Sequence, residues 1–379
     1  AEERSLVVCR LGGDEFAVLM EHMADLDAVA AVAEATKTVL ESPVEIAEVR
    51  IDTRASVGVA VSDPSVMLAD HSILLRQADV AMYIAKGQHR GIVFYDRADD
   101  PYSPKRLSLA ADLRHAVERG EIEAYFQPEV DLHTGEVISV EALARWTHPE
   151  HGSIVPDQFI PIAEQSGLIR DLTYLMLDQS LERIRQWRSH GFQLHVAVNL
   201  SVRCLADEEL VDRVTRSLER AGLGPECLTL EVTEGTIMAD PEHALAVLRR
   251  LYDAGIRLSI DDFGMGYSSL AQLKRMPVGQ LKIDRSFVTF VSEDHDDAAI
   301  VKSVTELGHN LGLEVIAEGC EDQVTLDALV ALGCDSVQGF FIGRPMSADR
   351  TLRWLRERAQ QDAPVGTPTT PATGSVQRG

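Results

Sequence analysis

The sequence predicts an α/β protein: a TIM-type (β/α)8 barrel with a partial α+β domain in front of it. Three observations carry that reading. Short apolar segments alternate with amphipathic helical segments from residue 107 to residue 358, a span of about 250 residues that suits one such barrel. A separate set of strand and helix signals fills residues 1–97. Between them, residues 98–106 are polar and carry two prolines, the composition of a linker.

In the first domain, Leu6-Val7-Val8-Cys9 reads as a strand leading into a Gly12-Gly13 turn and a second strand, Phe16 to Met20. Apolar residues at helical spacing follow from Leu26 to Leu40, an alternating stretch spans Ala55 to Val61, and an amphipathic helix covers Leu74 to Ala85. In the second domain the strands are Glu123 to Val130, Val137 to Trp146, Leu194 to Leu200, Leu228 to Val232, Arg257 to Ile260, Gln280 to Ile283, Glu314 to Ala317 and Ser336 to Phe341. A doubly wound open sheet would alternate in the same way, and the barrel is the favoured reading. Residues 359–379, rich in Pro, Thr and Gly without apolar periodicity, are expected to form a disordered tail.

A formal charge of −24 excludes a broad electrostatic grip on a nucleic acid polymer, which requires Lys and Arg to neutralise many phosphates. Any phosphate handled here is met locally. Cys9, Cys204, Cys227, Cys320 and Cys334 are odd in number and lack paired metal-ligand spacing, which points to a reducing, cytoplasmic setting with most of them in the core. No segment has the roughly 20 apolar residues of a membrane span. Ala1 is not an initiating methionine, so a fragment of a longer parent, free or membrane-tethered, is expected.

Acidic and amide side chains recur where the barrel strands end: Glu141, Asn199, Glu231, Asp261 with Asp262, and Glu318. Any one of these would ordinarily cap a helix or close a turn. Five strand ends at once weigh against that, because a barrel gathers them at one mouth. Gathered carboxylates repel by about 4 kcal/mol per pair at 4 Å and an effective dielectric near 20, so the cluster calls for cations. Oxygen donors point to Mg²⁺ or Mn²⁺, and adjacent Asp261 and Asp262 can serve two ions. Lys282, between apolar neighbours in Leu-Lys-Ile-Asp, adds a cation near the same mouth.

These segments resemble the EAL-domain phosphodiesterases of cyclic di-GMP, a bacterial second messenger, over essentially all of residues 107–358. The matching motifs occur in order: Tyr-Phe-Gln-Pro from Tyr125, Glu-Ala-Leu-Ala-Arg-Trp from Glu141, Asn-Leu-Ser from Asn199, Asp-Asp-Phe-Gly from Asp261, Leu-Lys-Ile-Asp from Leu281, Ala-Glu-Gly from Ala317 and Gln-Gly-Phe from Gln338. The resemblance implies a barrel with one antiparallel strand, a homodimer through this domain, and hydrolysis to the linear dinucleotide pGpG. It implies that Glu141, Asn199, Glu231 and Asp261 hold one ion while Asp261 and Asp262 hold the second, with Glu318 acting there through water. Lys282 would orient the attacking water, Gln127 and Gln338 would support substrate and site, Arg145 would contact a substrate phosphate, and Glu234 would brace the loop after Asp262. That loop departs from the family at Met265, where Thr is usual.

Arg10 to Phe16, with Gly12, Gly13, Asp14, Glu15 and Phe16 at its centre, resembles the signature hairpin of the GGDEF diguanylate cyclases, and Ala78 to Lys86 resembles their later helix. Glu15 would be a metal ligand in an intact domain. The upstream half that carries the companion Asp is expected to be missing, so no cyclase activity is expected of this chain. Two alternatives stand beside the phosphodiesterase: a non-catalytic cyclic di-GMP receptor, and a dual cyclase and phosphodiesterase in a full-length parent.

Overall fold

The computed structural model describes residues 6–13, 15–21, 23, 25–42, 44–46, 49–51, 55–62, 72–88, 91–96, 104–234, 241–264 and 270–361. The chain divides into two compact units, Ala1–Leu109 and Ala110–Gly379.

In the first unit, β1 (Leu6–Gly12) pairs antiparallel with β2 (Glu15–Met20), from Leu6 opposite Met20 to Gly12 opposite Glu15. The turn needs a left-handed residue, which Gly13 supplies at φ 50°, and Arg10 closes it by donating Nε and Nη2 to the Gly13 carbonyl. Asp25 caps α1 (Leu26–Leu40), accepting from the Ala28 N–H at 2.8 Å. Behind it β3 (Val44–Ile46) and β4 (Val49–Ile51) form a short antiparallel pair. β5 (Val57–Val59) is flanked by α2 (Ser72–Gln88) and runs parallel to β6 (Ile92–Phe94). A Cβ at Gly58 would stand 2.1 Å from the Ala78 carbonyl oxygen, so only glycine lets helix and strand approach this closely. Val29, Ala33 and Val59 form the buried centre, with Met20, Met23, Val57 and Ile92 around it. The hairpin, the helix over 26–40 and the helix over 74–85 all lie where periodicity put them.

The connecting helix α3 (Pro104–Arg119) takes in residues 104–106 of the expected linker; residues 97–103 lie outside the described residues. The barrel strands are β7 (Ile122–Asp131), β8 (Val137–His148), β10 (His195–Asn199), β11 (Leu228–Thr233), β12 (Arg257–Phe263), β13 (Gln280–Ile283), β14 (Glu314–Glu318) and β15 (Ser336–Gln338). They pair in that order, and β15 closes the ring onto β7. β7 is antiparallel to both of its neighbours, and the other barrel pairings are parallel. Its direction follows from the connection 132–136, too short for the crossover that parallel strands require. The Asp131 carboxylate builds that turn by accepting from the backbone N–H groups of His133 and Thr134 and from the Thr134 hydroxyl. β9 (Gly152–Ile154) and β16 (Met346–Ser347) extend β8 and β7 at the rim.

Among the described residues the remaining α-helices are α4 (Pro156–Ser166), α5 (Ile169–Ser189), α6 (Val202–Leu205), α7 (Leu210–Ala221), α8 (Pro241–Asp253), α9 (Leu270–Leu273), α10 (Arg285–Val288), α11 (His295–Asn310), α12 (Gln323–Leu332) and α13 (Ala348–Gln361). Residues 359–361 of the expected tail belong to α13, and 362–379 lie outside the described residues. In β11 the alternate residues Leu228, Leu230 and Val232 are fully buried apolar side chains, each contributing about 2 kcal/mol of hydrophobic stabilisation. The largest buried rings are Phe126, Trp146, Phe159 and Trp187, with Phe126 edge-on to Trp187 at 4.9 Å and Trp146 edge-on to Phe159 at 5.7 Å. Cys204, Cys227, Cys320 and Cys334 are free and buried; Cys9 is free and exposed.

Candidate active site

Lys282 organises the barrel mouth. It stands on β13, 1% exposed, with Nζ 2.5 Å from Glu318 Oε1, 2.8 Å from Glu231 Oε1, 3.5 Å from Glu141 Oε2 and 3.6 Å from Asp261 Oδ1. Those carboxylates come from β14, β11, β8 and β12. β8 and β11 do not border β13, so the contacts cross the barrel interior. Burial alone would lower the Lys282 pKa, yet the four surrounding carboxylates hold it well above its ordinary value.

Two amides orient Glu141. Asn199 Nδ2 donates to its Oε1 at 2.8 Å and Gln338 Nε2 to its Oε2 at 2.6 Å. Gln338 also meets Gln127 Oε1 at 3.2 Å, and the Gln127 amide donates to the Gly343 carbonyl at 3.1 Å. Burial pushes the Glu141 carboxyl up, but Lys282 and these amides outweigh it and hold the group below its ordinary range. Glu231 and Glu318 go the other way. Burial raises both against the pull of Lys282, Glu318 to about 8 and Glu231 well above its ordinary value. One lysine cannot neutralise so many gathered carboxylates.

Asp262 is the one described non-glycine residue with a positive φ, 54°, and it sits where the pairing of β12 with β13 breaks between Ile260 and Phe263. This irregularity turns the second carboxylate of the pair out toward the mouth. Burial, then the neighbouring charges of Asp261 and Asp284, raise the Asp262 carboxyl to about 6. Oxygens of Asp261, Asp262 and Glu318 lie within 4.8 Å of one another. Glu231 Oε2 is buried without a hydrogen-bond partner among the described residues. An orphaned buried oxygen, a trio of converging carboxylates and no Cys or His in the set fit hard divalent cations.

The structure thus brings together Glu141, Asn199, Glu231, Asp261, Asp262, Lys282, Glu318, Gln127 and Gln338. Arg145 stands apart, four residues beyond Glu141 on β8, roughly 13 Å along the strand. Its Nη1 donates to the Ala144 carbonyl at 2.8 Å, and its guanidinium lies 5.9 Å from the centre of the Tyr125 ring. Glu234 is buried one residue past β11; the loop it is expected to brace, with Met265, lies outside the described residues. In the first unit Gly12 ends β1, Gly13 lies in the turn, Glu15 and Phe16 open β2 of an exposed hairpin, and Asp14 lies outside the described residues.

Residues 110–345, more than half of the chain, match the EAL domain family. The chain belongs to that family. Residues 2–91 match the diguanylate cyclase GGDEF domain family. Among similar proteins, the bifunctional diguanylate cyclase/cyclic di-GMP phosphodiesterase MucR of Pseudomonas aeruginosa is 43% identical over 347 residues, 91% of this chain and 50% of MucR. The cyclic di-GMP phosphodiesterase PdeR of Escherichia coli is 35% identical over 356 residues, 93% of this chain and 53% of PdeR. The solved structure of the PaMucR phosphodiesterase in complex with c-di-GMP is 46% identical, covers 64% of this chain and 99% of its own, and superposes with a TM-score of 0.62. The chain therefore spans about half the length of the curated relatives it matches.

Within this EAL domain, sequence reasoning passed over two features. Asp284 closes the Leu-Lys-Ile-Asp motif and its charge acts on Asp262. Phe340 and Phe341, 45% and 42% exposed, follow Gln338 directly, and the Arg344 guanidinium lies 4.2 Å from the Phe340 ring centre. Their loop is fixed by the bond from Phe341 N–H to the Cys320 carbonyl and by the Gln127 bond to Gly343. The repeated aromatic in Gln-Gly-Phe-Phe was the available signal.

Proposed function

We propose that this chain hydrolyses cyclic di-GMP to pGpG at two divalent ions, Mg²⁺ or Mn²⁺, held at the barrel mouth. The observation that carries the reading is the ring of carboxylates around one buried lysine, with Glu231 Oε2 unsatisfied and Asp262 turned outward. Glu141, Asn199, Glu231 and Asp261 would hold one ion, and Asp261 with Asp262 the other, near Glu318. When bound, the ions supply Lewis acidity and a water acidified for attack on phosphorus.

The protein's own residues do the rest. Asn199 and Gln338 fix the Glu141 carboxylate, so Asn199 keeps its carbonyl oxygen free to act as a ligand. Lys282, kept charged, orients the incoming water and offsets negative charge as it develops on the phosphoryl oxygens. The water oxygen bonds to phosphorus, the ribose 3′ oxygen leaves with a proton, and a 5′-phosphate remains. The Arg145 guanidinium has five N–H donors, of which the Ala144 bond uses one, and suits the second phosphate of the ring. Phe340 and Phe341 offer faces on which guanine stacks.

The same reading treats 1–97 and 107–358 as separate domains, with the expected linker 98–106 cut back to the residues ahead of α3, the barrel domain as a homodimer, and the cytoplasm as its setting. The free cysteines support the last point. Incubating the purified chain with cyclic di-GMP and Mg²⁺ or Mn²⁺, followed by chromatography, tests the proposal. Formation of pGpG that a chelator abolishes is the expected result; tight binding with no product would make the chain a receptor.

A further inference from the structure

The seam where β15 closes onto β7 positions part of the site. β15 is three residues long and ends on Gln338. A strand this short has few backbone bonds to hold its register, and a one-residue slip would turn Gln338 out of the barrel. On its other edge β7 is irregular, its pairing with β8 shifting between Glu129 and Val130. A bulge there interrupts the ladder at the level where β15 docks.

At that level a buried side-chain pair ties the two strands. Ser336 Oγ donates to Glu129 Oε1 at 2.5 Å, and both residues are buried. Gln338 is opposite Glu129, and Ser336 is opposite Asp131. The Ser336–Glu129 bond and the Gln338–Gln127 bond therefore run along the same diagonal of one face, two residues apart. The second delivers Gln338 to Glu141.

We infer that Glu129 is a positioning residue for Glu141: through Ser336 it fixes the register of β15, and so the Gln338 amide that orients the Glu141 carboxylate. This rests on the metal-dependent reading above. Burial pushes the Glu129 carboxyl above its ordinary value, against the Ser336 bond and the Lys282 charge. Glutamine, neutral and of nearly the same shape, is therefore the conservative replacement.

Direct Mn²⁺ binding, followed by electron paramagnetic resonance on the full chain, tests the inference in the wild type, Glu129→Ala, Glu129→Gln, Ser336→Ala and the double alanine variant. Glu129→Ala and Ser336→Ala are each expected to weaken Mn²⁺ binding about tenfold, the scale on which partners behind a metal ligand act. Glu129→Gln stays within about twofold, and the double variant is no weaker than the worse single one, because both remove the same bond. If Glu129→Ala does not fold, the milder Ser336→Ala carries the test. Wild-type binding by Ser336→Ala, or equal loss in Glu129→Gln and Glu129→Ala, overturns the inference alone. A wild-type chain that binds no Mn²⁺ overturns the metal-dependent reading and this inference with it.

Discussion

Lys282 and Glu141 show how single residues acquire their character from their neighbours. Four carboxylates keep a fully buried lysine charged, while two amides and that lysine hold Glu141 ionised in a place where burial opposes it. Replacing Glu141 with Ala removes one of the proposed metal ligands and leaves Lys282 paired, so the fold should survive. Turnover of cyclic di-GMP is expected to fall more than about 100-fold, beyond the upper range for outer partners of metal ligands, with an unchanged circular dichroism spectrum. On the proposed reading, Phe340→Ala and Phe341→Ala are expected to act on binding. Base–aromatic stacking is worth about 1–3 kcal/mol, so KM should rise roughly tenfold or more while kcat holds. A fall in kcat at constant KM would remove these rings from the substrate site. Lys282 and the aspartate pair were legible in the sequence because each stands near the end of an apolar strand; Glu141, which the structure places inside β8 and not at its end, was legible from the motif it opens. Glu129 was not, since its meaning depends on Ser336, which comes diagonally across from it only after the barrel closes. Asp284 was passed over because an Asp before a helix reads as a cap, a duty it also performs for Ser286.

At the level of elements, turns and caps set the register of the barrel. Asp131 holds the β7–β8 turn; burial pushes its carboxyl up, but the bonds from Thr134 and His133 together outweigh it and keep the group below the ordinary 3.8. Because the folded group is the stronger acid, its stabilisation is complete above that ordinary value and is lost as the pH falls through the lower folded one. The difference in melting temperature between wild type and Asp131→Ala should therefore be constant from about pH 7 to pH 5 and shrink toward about pH 3. A difference that grows in acid would contradict this. Asp294 caps α11 by accepting from Asp296 N–H at 2.8 Å, and Asp294→Ala should cost about 1 kcal/mol in denaturant unfolding. Eight strands were readable because each carries a short apolar run, such as Leu228, Leu230 and Val232 of β11, whose residues the barrel and its helix layer bury on both faces. Ring closure was not readable, since parallel alternation fits an open sheet equally well. The antiparallel β7 was carried by the family resemblance, although the short 132–136 connection already encodes it.

At the scale of the molecule, the two units differ in how much core they bury and in what holds them. The described buried apolar residues of the first unit are few, Val29, Ala33 and Val59 with Val80, Ala81 and Ala85 of α2 among them, whereas the second buries the interior of a closed barrel and its helix layer. Cations bound at the mouth would stabilise only the second unit, by about 2.7 kcal/mol at a hundredfold excess over Kd. Calorimetry should therefore show the barrel transition moving up by several degrees with Mn²⁺ while any transition of the first unit stays in place. A shift shared by both units would point to a site elsewhere.

The most direct test of the account is hydrolysis of cyclic di-GMP in ¹⁸O-labelled water, with wild type beside Glu141→Ala and the products read by mass spectrometry. The account predicts pGpG from the wild type in the presence of Mg²⁺ or Mn²⁺, carrying one ¹⁸O on its 5′-phosphate, and essentially none from the variant. Equal product from both, or pGpG formed at the same rate in chelator, would contradict it.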